Sequence, residues 1–162
     1  MAQFPALSKG RMTQSPSIKR RPATAADEPF MRELHKAAYH EVVVRQFGQW
    51  DEEFQASLFS KKWIPEKFEI VEIAGRAIGC IRVDDWPEDV FLSEIQILPE
   101  FQGRGIGSAL IQGEIARAQL RQKPLRLEVL KSNDRARVLY ERLGFQVCGA
   151  TDTHFVFLHE LR

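Results

Sequence analysis

The 162-residue sequence predicts a single α/β domain in which helices flank a mixed β-sheet. Two observations lead to this fold class. Apolar residues recur at helical spacing up to about residue 65, and strand-like runs begin after it. Later segments alternate between strand and helix patterns, with no internal repeat and no linker that would divide the domain. The length is that of one domain with a sizeable core.

Composition narrows the function classes. The formal net charge is +1, and nothing indicates the concentrated basic face that binds nucleic acids or membrane surfaces. No run approaches the roughly 18 apolar residues of a membrane span. The 2 cysteines form no Cys-x-x-Cys pair and the 4 histidines no His-x-x-x-His pair, so we expect neither a metal site nor a disulfide framework. A cytoplasmic location is therefore expected.

Residues 1–16 are rich in Ser, Pro, Gln and Lys, so we expect a flexible leader there and a folded domain over residues 17–162. A short strand at 18–21 and two helices should follow. Thr24 is a candidate cap for the first helix, and the second is expected to begin near Asp51. The predicted inner faces carry Phe30, Leu34, Ala37 and Ala38 in the first helix, and Phe54, Leu58 and Phe59 in the second.

Three strands come next. Segments 68–73 and 77–83 predict a hairpin, and 90–98 predicts a longer strand that ends at Pro99. Simple alternation assigns one face of that strand to Phe91, Ser93, Ile95 and Ile97, and the other to Leu92, Glu94 and Gln96. The rest predicts a helix at 105–122, a strand at 125–130, a helix at 134–143 closed by Gly144, and strands at 145–147 and 153–158.

A glycine-rich run lies between the longer strand and the next helix. Gly103, Gly105 and Gly107 alternate there, so the backbone can turn tightly and a ligand can approach it closely. The unpaired amides that open a helix favour a phosphate. A tight turn that binds nothing is equally compatible with the run by itself. A mononucleotide P-loop is excluded because Ser108-Ala109 replaces its Lys-Ser/Thr pair, and the glycine spacing does not fit a dinucleotide fingerprint.

Two segments together resemble the signature of the Gcn5-related N-acetyltransferases (GNAT). Residues 95–107 form an apolar strand, a proline and then Gln-x-x-Gly-x-Gly, and residues 133–145 match Asn-x-x-Ala-x-x-Leu-Tyr-x-x-Leu-Gly-Phe. The resemblance covers roughly residues 68–158. It implies a mixed, splayed sheet flanked by helices and acetyl-coenzyme A as co-substrate, with no metal.

The resemblance also implies cofactor contacts. The strand before the glycine turn carries a bulge in this family, and Ile97 and Leu98 would supply backbone contacts to the pantetheine arm. The amide near Ile97 would polarise the thioester carbonyl. Asn133 would contact the same arm. The turn would hold the pyrophosphate through Gln102, Gly103, Arg104, Gly105, Ile106, Gly107 and Ser108.

Two residues are candidates for catalysis. Tyr140 lies where the family often has a tyrosine that protonates the leaving thiolate, although a core aromatic on an amphipathic helix is the alternative interpretation. Glu94 is the candidate base for the acceptor amine, with a solvated glutamate on the sheet face as the alternative.

Three residues are candidates for the acceptor pocket. Trp50 and Asp51 lie in the helical region that shapes this pocket in the family, and an acid beside an aromatic ring suits a cationic amine. A helix cap with a neighbouring packing residue is the simpler interpretation of the pair. His154 lies at the start of the last strand, which can border the pocket, but a satisfied strand histidine is the commoner role.

The sequence therefore predicts an N-acetyltransferase that moves an acetyl group from acetyl-coenzyme A directly to an amine within a ternary complex. Two alternatives stay open: a non-catalytic acyl-coenzyme-A-binding regulatory module, and a structural domain whose turn binds only a stray anion. The acceptor is a small-molecule or a protein amine. Homodimers are common in the family, although no sequence feature requires one here.

Overall fold

The structure is a computed structural model that describes residues 17–162, so the predicted leader at 1–16 lies outside the described residues. Strands and helices follow one another in the predicted order. Within the described range, no helix is both long and apolar enough to span a membrane. The elements are β1 Ile18–Pro22, α1 Glu28–Phe47, α2 Glu52–Lys62, β2 Glu69–Ile73, β3 Arg76–Asp85, β4 Val90–Ile97, α3 Ile106–Leu120, β5 Leu125–Leu130, α4 Asp134–Arg142, β6 Gln146–Ala150 and β7 His154–His159.

The seven strands of the described range form one sheet in the order β1-β2-β3-β4-β5-β7-β6. The β4–β5 pair is parallel, and every other pair is antiparallel. Strands β4 and β5 pair only where Val90–Leu92 meets Leu125–Leu127, so the second half of β4 separates from β5. The prediction of a mixed, splayed sheet is confirmed, and the separation leaves a cleft between the two central strands.

Helices cover both faces of the sheet. Ile106, Leu110 and Ile111 of α3 and Tyr140 of α4 belong to the larger core cluster on one face. Met31 and Leu34 of α1 pack with Ile70 and Cys80 in a second cluster on the other face. Phe59 of α2 packs against this second cluster. The cleft between β4 and β5 therefore has α3 and α4 on one side and α1 on the other.

A β-bulge interrupts β4 at Ser93. Arg82 of β3 pairs with Glu94, but the next residue of β3, Val83, pairs with Leu92, so Ser93 is an extra residue in β4. The bulge shifts the alternation of side chains by one position. The prediction that Phe91 and Ser93 share a face with Ile95 and Ile97 was therefore wrong. Leu92, Ile95 and Ile97 face the larger core cluster, and Glu94 and Gln96 point toward α1.

Two predicted core positions on the first helices are exposed. Ala37 of α1 faces solvent, and Phe54 at the start of α2 is 56% exposed. The buried residue of α2 is Gln55, because its Oε1 lies 3.2 Å from Nε2 of His35 on α1 and so has a partner inside the interface. Thr24 also differs from expectation. It precedes a short 3-10 turn at Ala25–Asp27 rather than α1 itself.

Glu114 of α3 is a buried carboxylate within an ion-pair cluster. Its side chain is 3% exposed, and its Oε1 accepts from Arg20 of β1 at 2.5 Å and from Arg117 at 2.8 Å. Arg20 also pairs with Glu69 of β2 at 2.5 Å. These ion pairs connect the edge strand β1 to α3, the helix that follows the glycine turn.

Replacing Glu114 by alanine should lower the free energy of unfolding by about 3 kcal/mol, because a buried carboxylate that pairs with both Arg20 and Arg117 is lost, and Arg20 keeps only Glu69 among the described residues. Denaturant unfolding followed by circular dichroism measures the change. The control is Glu141→Ala, since Glu141 is exposed on α4 and has no ion pair among residues 17–162. Equal losses in the two variants would contradict a role for the cluster.

Candidate active site

The glycine turn begins directly after β4. A 3-10 turn at Pro99–Phe101 is followed by Gly103 and Gly105, whose φ angles of +74° and +80° lie in the left-handed region that favours glycine. Gly105 is the N-cap of α3, so the amides of the first helical turn have no partner within the helix. No atom lies within 4 Å of a Cβ built on Gly105, so the turn is open on that side. This arrangement can bind an anion.

The cleft beside the turn is bordered by unpaired backbone of β4. The Leu98 amide donates to the Ile78 carbonyl at 2.8 Å, and the Leu98 carbonyl accepts from Phe101 N at 2.9 Å. Because backbone groups alternate in direction along an antiparallel strand, those of Ile97 point away from β3 and toward the cleft. The Ile97 carbonyl accepts from Gln102 Nε2 at 2.9 Å. Ile97, rather than Leu98, therefore presents to the cleft a backbone N–H that has no partner among residues 17–162.

Tyr140 lies on the inner side of α4, on the α3 face of the cleft. It is 7% exposed and packs against Phe145 and Phe157, with ring centroids 5.7 and 6.0 Å away. Burial, together with the negative charge of Glu94, raises the pKa of Tyr140, so the phenol stays protonated at neutral pH. Asn133 caps the same helix, because its Oδ1 accepts from Ala136 N at 3.2 Å.

Glu94 lies on the opposite face, under α1. Its Oε2 accepts from Gln96 Nε2 at 3.2 Å and from the Tyr39 hydroxyl at 3.5 Å, and Oε1 lies 3.9 Å from Lys62 Nζ. Burial and the Glu94 charge raise the pKa of Tyr39 well above its ordinary value. The carboxylate side chain is 18% exposed, so it is partly desolvated and still accessible.

Sequence reasoning missed the polar residues around Glu94. His35 Nδ1 lies 3.5 Å from Gln96 Nε2, and the buried Oε1 of Gln96 has no hydrogen-bond partner among the described residues. These side chains border a cavity of about 50 Å³ whose other lining is mostly apolar. The four-residue spacing of His35 and Tyr39, which places both on one face of α1, is the signal that could have identified them.

Two of the three predicted acceptor-pocket residues, Trp50 and Asp51, lie in the connection between α1 and α2, and the third, His154, begins β7. Asp51 is exposed and caps α2, accepting from Phe54 N at 2.9 Å. Trp50 lies between the rings of His35 and His40, and it borders a second cavity of about 270 Å³ between α1 and α2. His154 Nδ1 lies 2.7 Å from Thr153 Oγ1. Burial lowers the pKa of His154, although the charges of Glu128 and Glu94 oppose this.

Residues 65–147 match the family model of the acetyltransferase (GNAT) domain, which is half of the chain and includes the bulged strand, the glycine turn and α4. The chain belongs to the GNAT acetyltransferase family. Helices α1 and α2, which cover Glu94, precede the matched segment.

Two curated relatives are named N-acetyltransferases. The chain is 37% identical over 93 residues to the 5-NmdU N-acetyltransferase of Pseudomonas phage PaMx11, covering 56% of this chain and 62% of that protein. It is 42% identical over 77 residues to the thialysine N-epsilon-acetyltransferase of Bos taurus, covering 46% of this chain and 45% of that protein. Each match spans less than two thirds of the relative's own length.

A solved structure shares the fold. The PaiA N-acetyltransferase of Thermoplasma acidophilum, crystallised in complex with coenzyme A, superposes with a TM-score of 0.74 at 19% identity. The superposition covers 89% of this chain and 99% of that one.

Replacing Gly105 by valine should lower the affinity for coenzyme A at least about tenfold, because a β-branched residue is strained at a positive φ and would move the turn amides. Isothermal titration calorimetry measures the affinity. Gly113→Val is the matched control, since Gly113 lies within α3 with open space around it. An unchanged affinity in Gly105→Val would contradict a role for the turn in binding coenzyme A.

Proposed function

We propose that this chain is an N-acetyltransferase that moves the acetyl group of acetyl-coenzyme A directly to an amine within a ternary complex. The observation that carries the proposal is the cleft between β4 and β5, which ends at the glycine turn. Its two parts suit the two parts of coenzyme A. The narrow gap between strands suits the extended pantetheine arm, and the open amides of the turn suit the pyrophosphate.

The proposed cofactor contacts follow from the backbone groups that are free. The amides of Gly103 to Ser108 would hold the pyrophosphate. The Ile97 N–H, which has no partner strand, would donate to the pantetheine arm or to the thioester carbonyl. Leu98 is left out of the proposal, because its N–H and carbonyl are already engaged by Ile78 and Phe101. The side chain of Asn133 caps α4, and its proposed contribution to the cofactor site is to fix where this helix begins.

Acetyl-coenzyme A supplies the reactive thioester, and the residues on the two faces of the cleft supply the proton transfers. We propose that Glu94, on the α1 face, accepts the proton that the acceptor ammonium must lose before its nitrogen can attack. The amine nitrogen then bonds to the acetyl carbon as the carbon–sulfur bond breaks. Tyr140, on the α4 face and protonated because burial raises its pKa, donates its proton to the departing thiolate. The nitrogen loses its second proton as the amide forms, and this proton passes through solvent to the Tyr140 phenolate. Glu94 and Tyr140, on opposite sides of the donor, thus complete one direct transfer.

The acceptor would approach beside Glu94 from the side of α1 and α2. Glu94 provides the negative charge that attracts an ammonium group, and the unpartnered Gln96 Oε1 offers a second acceptor for its N–H groups. The name of the bovine relative, a thialysine N-epsilon-acetyltransferase, supports a small-molecule amine as the acceptor. The 50 Å³ cavity with its apolar lining favours a short apolar group next to the amine.

Thiol release from acetyl-coenzyme A with a panel of small amines and amine-bearing peptides tests this function. Glu94→Gln should lower kcat about a hundredfold at neutral pH and change coenzyme A affinity little, because a general base is lost while the cofactor contacts remain. The loss should shrink as the pH approaches the pKa of the acceptor amine, since the amine then needs no base.

Two outcomes would contradict the proposal. Tight coenzyme A binding without thiol release on any amine would favour a regulatory module that binds acyl-coenzyme A. Equal activity of Glu94→Gln and the unaltered protein at neutral pH would remove Glu94 as the base, while leaving acetyl transfer intact. Glu141→Gln, a charge change on the exposed side of α4, is the control for a general electrostatic effect.

A further inference from the structure

Arg135, the second residue of α4, reaches from that helix to the glycine turn. Its Nη1 donates to Gln102 Oε1 at 3.0 Å, and its Nη2 lies 3.4 Å from the position that a Cβ on Gly103 would occupy. The guanidinium therefore lies over the turn, across the mouth of the cleft. Its side chain has no carboxylate partner among residues 17–162. A cation is thus held beside the open amides without an anion to neutralise it.

Gln102 joins this cation to the end of β4. While its Oε1 accepts from Arg135, its Nε2 donates to the Ile97 carbonyl at 2.9 Å. One carboxamide thus fixes both Arg135 and the strand residue that presents a free N–H to the cleft. The guanidinium lies directly against Gly103, at van der Waals distance from the position of a Cβ on that residue.

The other cations near the turn are engaged elsewhere. The guanidinium of Arg104 lies over the Phe101 ring, 5.1 Å from its centroid. Arg76 approaches the same ring at 5.1 Å and pairs with Glu100 at 3.2 Å. The sequence assigned Arg104 to the pyrophosphate, but in the structure its guanidinium stacks on the Phe101 ring instead. Arg135 is better placed to meet an anion at Gly103.

We propose that Arg135 binds the pyrophosphate of coenzyme A and that Gln102 is the residue that positions it. The inference rests on the proposed function, because it takes the glycine turn as the cofactor site. A guanidinium presents two parallel N–H donors to phosphate oxygens, and the turn amides approach the same oxygens from the helix side. The phosphate is then held between the N-terminal ends of α3 and α4.

Calorimetric titration with three ligands tests the inference: coenzyme A, 3′-dephospho-coenzyme A and pantetheine. Arg135→Gln should weaken coenzyme A and dephospho-coenzyme A about tenfold each, the effect of one lost charge-assisted contact, and leave pantetheine unchanged. The control is Arg142→Gln, which removes an equal charge from the far end of α4, where Arg142 is exposed and has no ion pair among the described residues. Its affinities should stay within twofold of the unaltered protein.

Each other outcome overturns the assignment. Loss of affinity for coenzyme A alone would assign Arg135 to the 3′-phosphate. Equal losses for all three ligands would show that Arg135 acts only by supporting the fold of the cleft, and no loss would show that it touches no phosphate. If the unaltered protein binds no coenzyme A, the proposed function fails and this inference with it.

A double-mutant cycle tests the role of Gln102. Gln102→Leu should weaken coenzyme A several-fold more than pantetheine, because the guanidinium is no longer held over Gly103. In the Arg135→Gln background this preference between the two ligands should disappear. If the Gln102→Leu effect is the same in both backgrounds, Gln102 does not act through Arg135.

Discussion

The separation of β4 from β5 is the constraint on which the rest of the site depends. The two strands pair over only three residues, and the bulge at Ser93 lies where that pairing stops. Beyond it, Ile97 turns its backbone toward a gap instead of a neighbouring strand. Unpaired backbone groups at the centre of a sheet are unusual, because most buried N–H and carbonyl groups have partners. A ligand that carries amide groups can form hydrogen bonds with these unpaired backbone groups, as a neighbouring strand would.

Local contacts keep β4 in this position. Gly79 of β3 lies opposite Ile97, and a Cβ on it would stand 2.3 Å from the Gln96 carbonyl oxygen, so only glycine permits the close approach of the two strands. At the end of β4, the Nε2 group of Gln102 donates a hydrogen bond to the Ile97 carbonyl oxygen. The bulge lies where β4 leaves β5, and beyond it Glu94 and Gln96 point toward α1, so one irregularity in the sheet accompanies both the cleft and the position of the Glu94 carboxylate.

The shape of the glycine turn, which belongs to the proposed cofactor site, could be predicted from the sequence because its residues are contiguous. The glycines at 103 and 105 need a positive φ, and that need is visible in the residue type itself. Pairings between residues far apart in the sequence could not be predicted in the same way. Gln55 rather than Phe54 is buried because of a partner twenty residues away, and Arg135 meets Gln102 across 33 residues. Such pairings depend on how α1, α2 and α4 pack, which no local spacing specifies.

Backbone hydrogen exchange, followed residue by residue by NMR with and without coenzyme A, tests the cofactor cleft most directly. Coenzyme A should slow exchange of the Ile97 amide and of the amides at 103–108, because these N–H groups gain acceptors from the ligand. Amides of the edge strand β6 should be unaffected. Binding of coenzyme A without slower exchange at Ile97 would contradict the assignment of the β4–β5 cleft as the cofactor site.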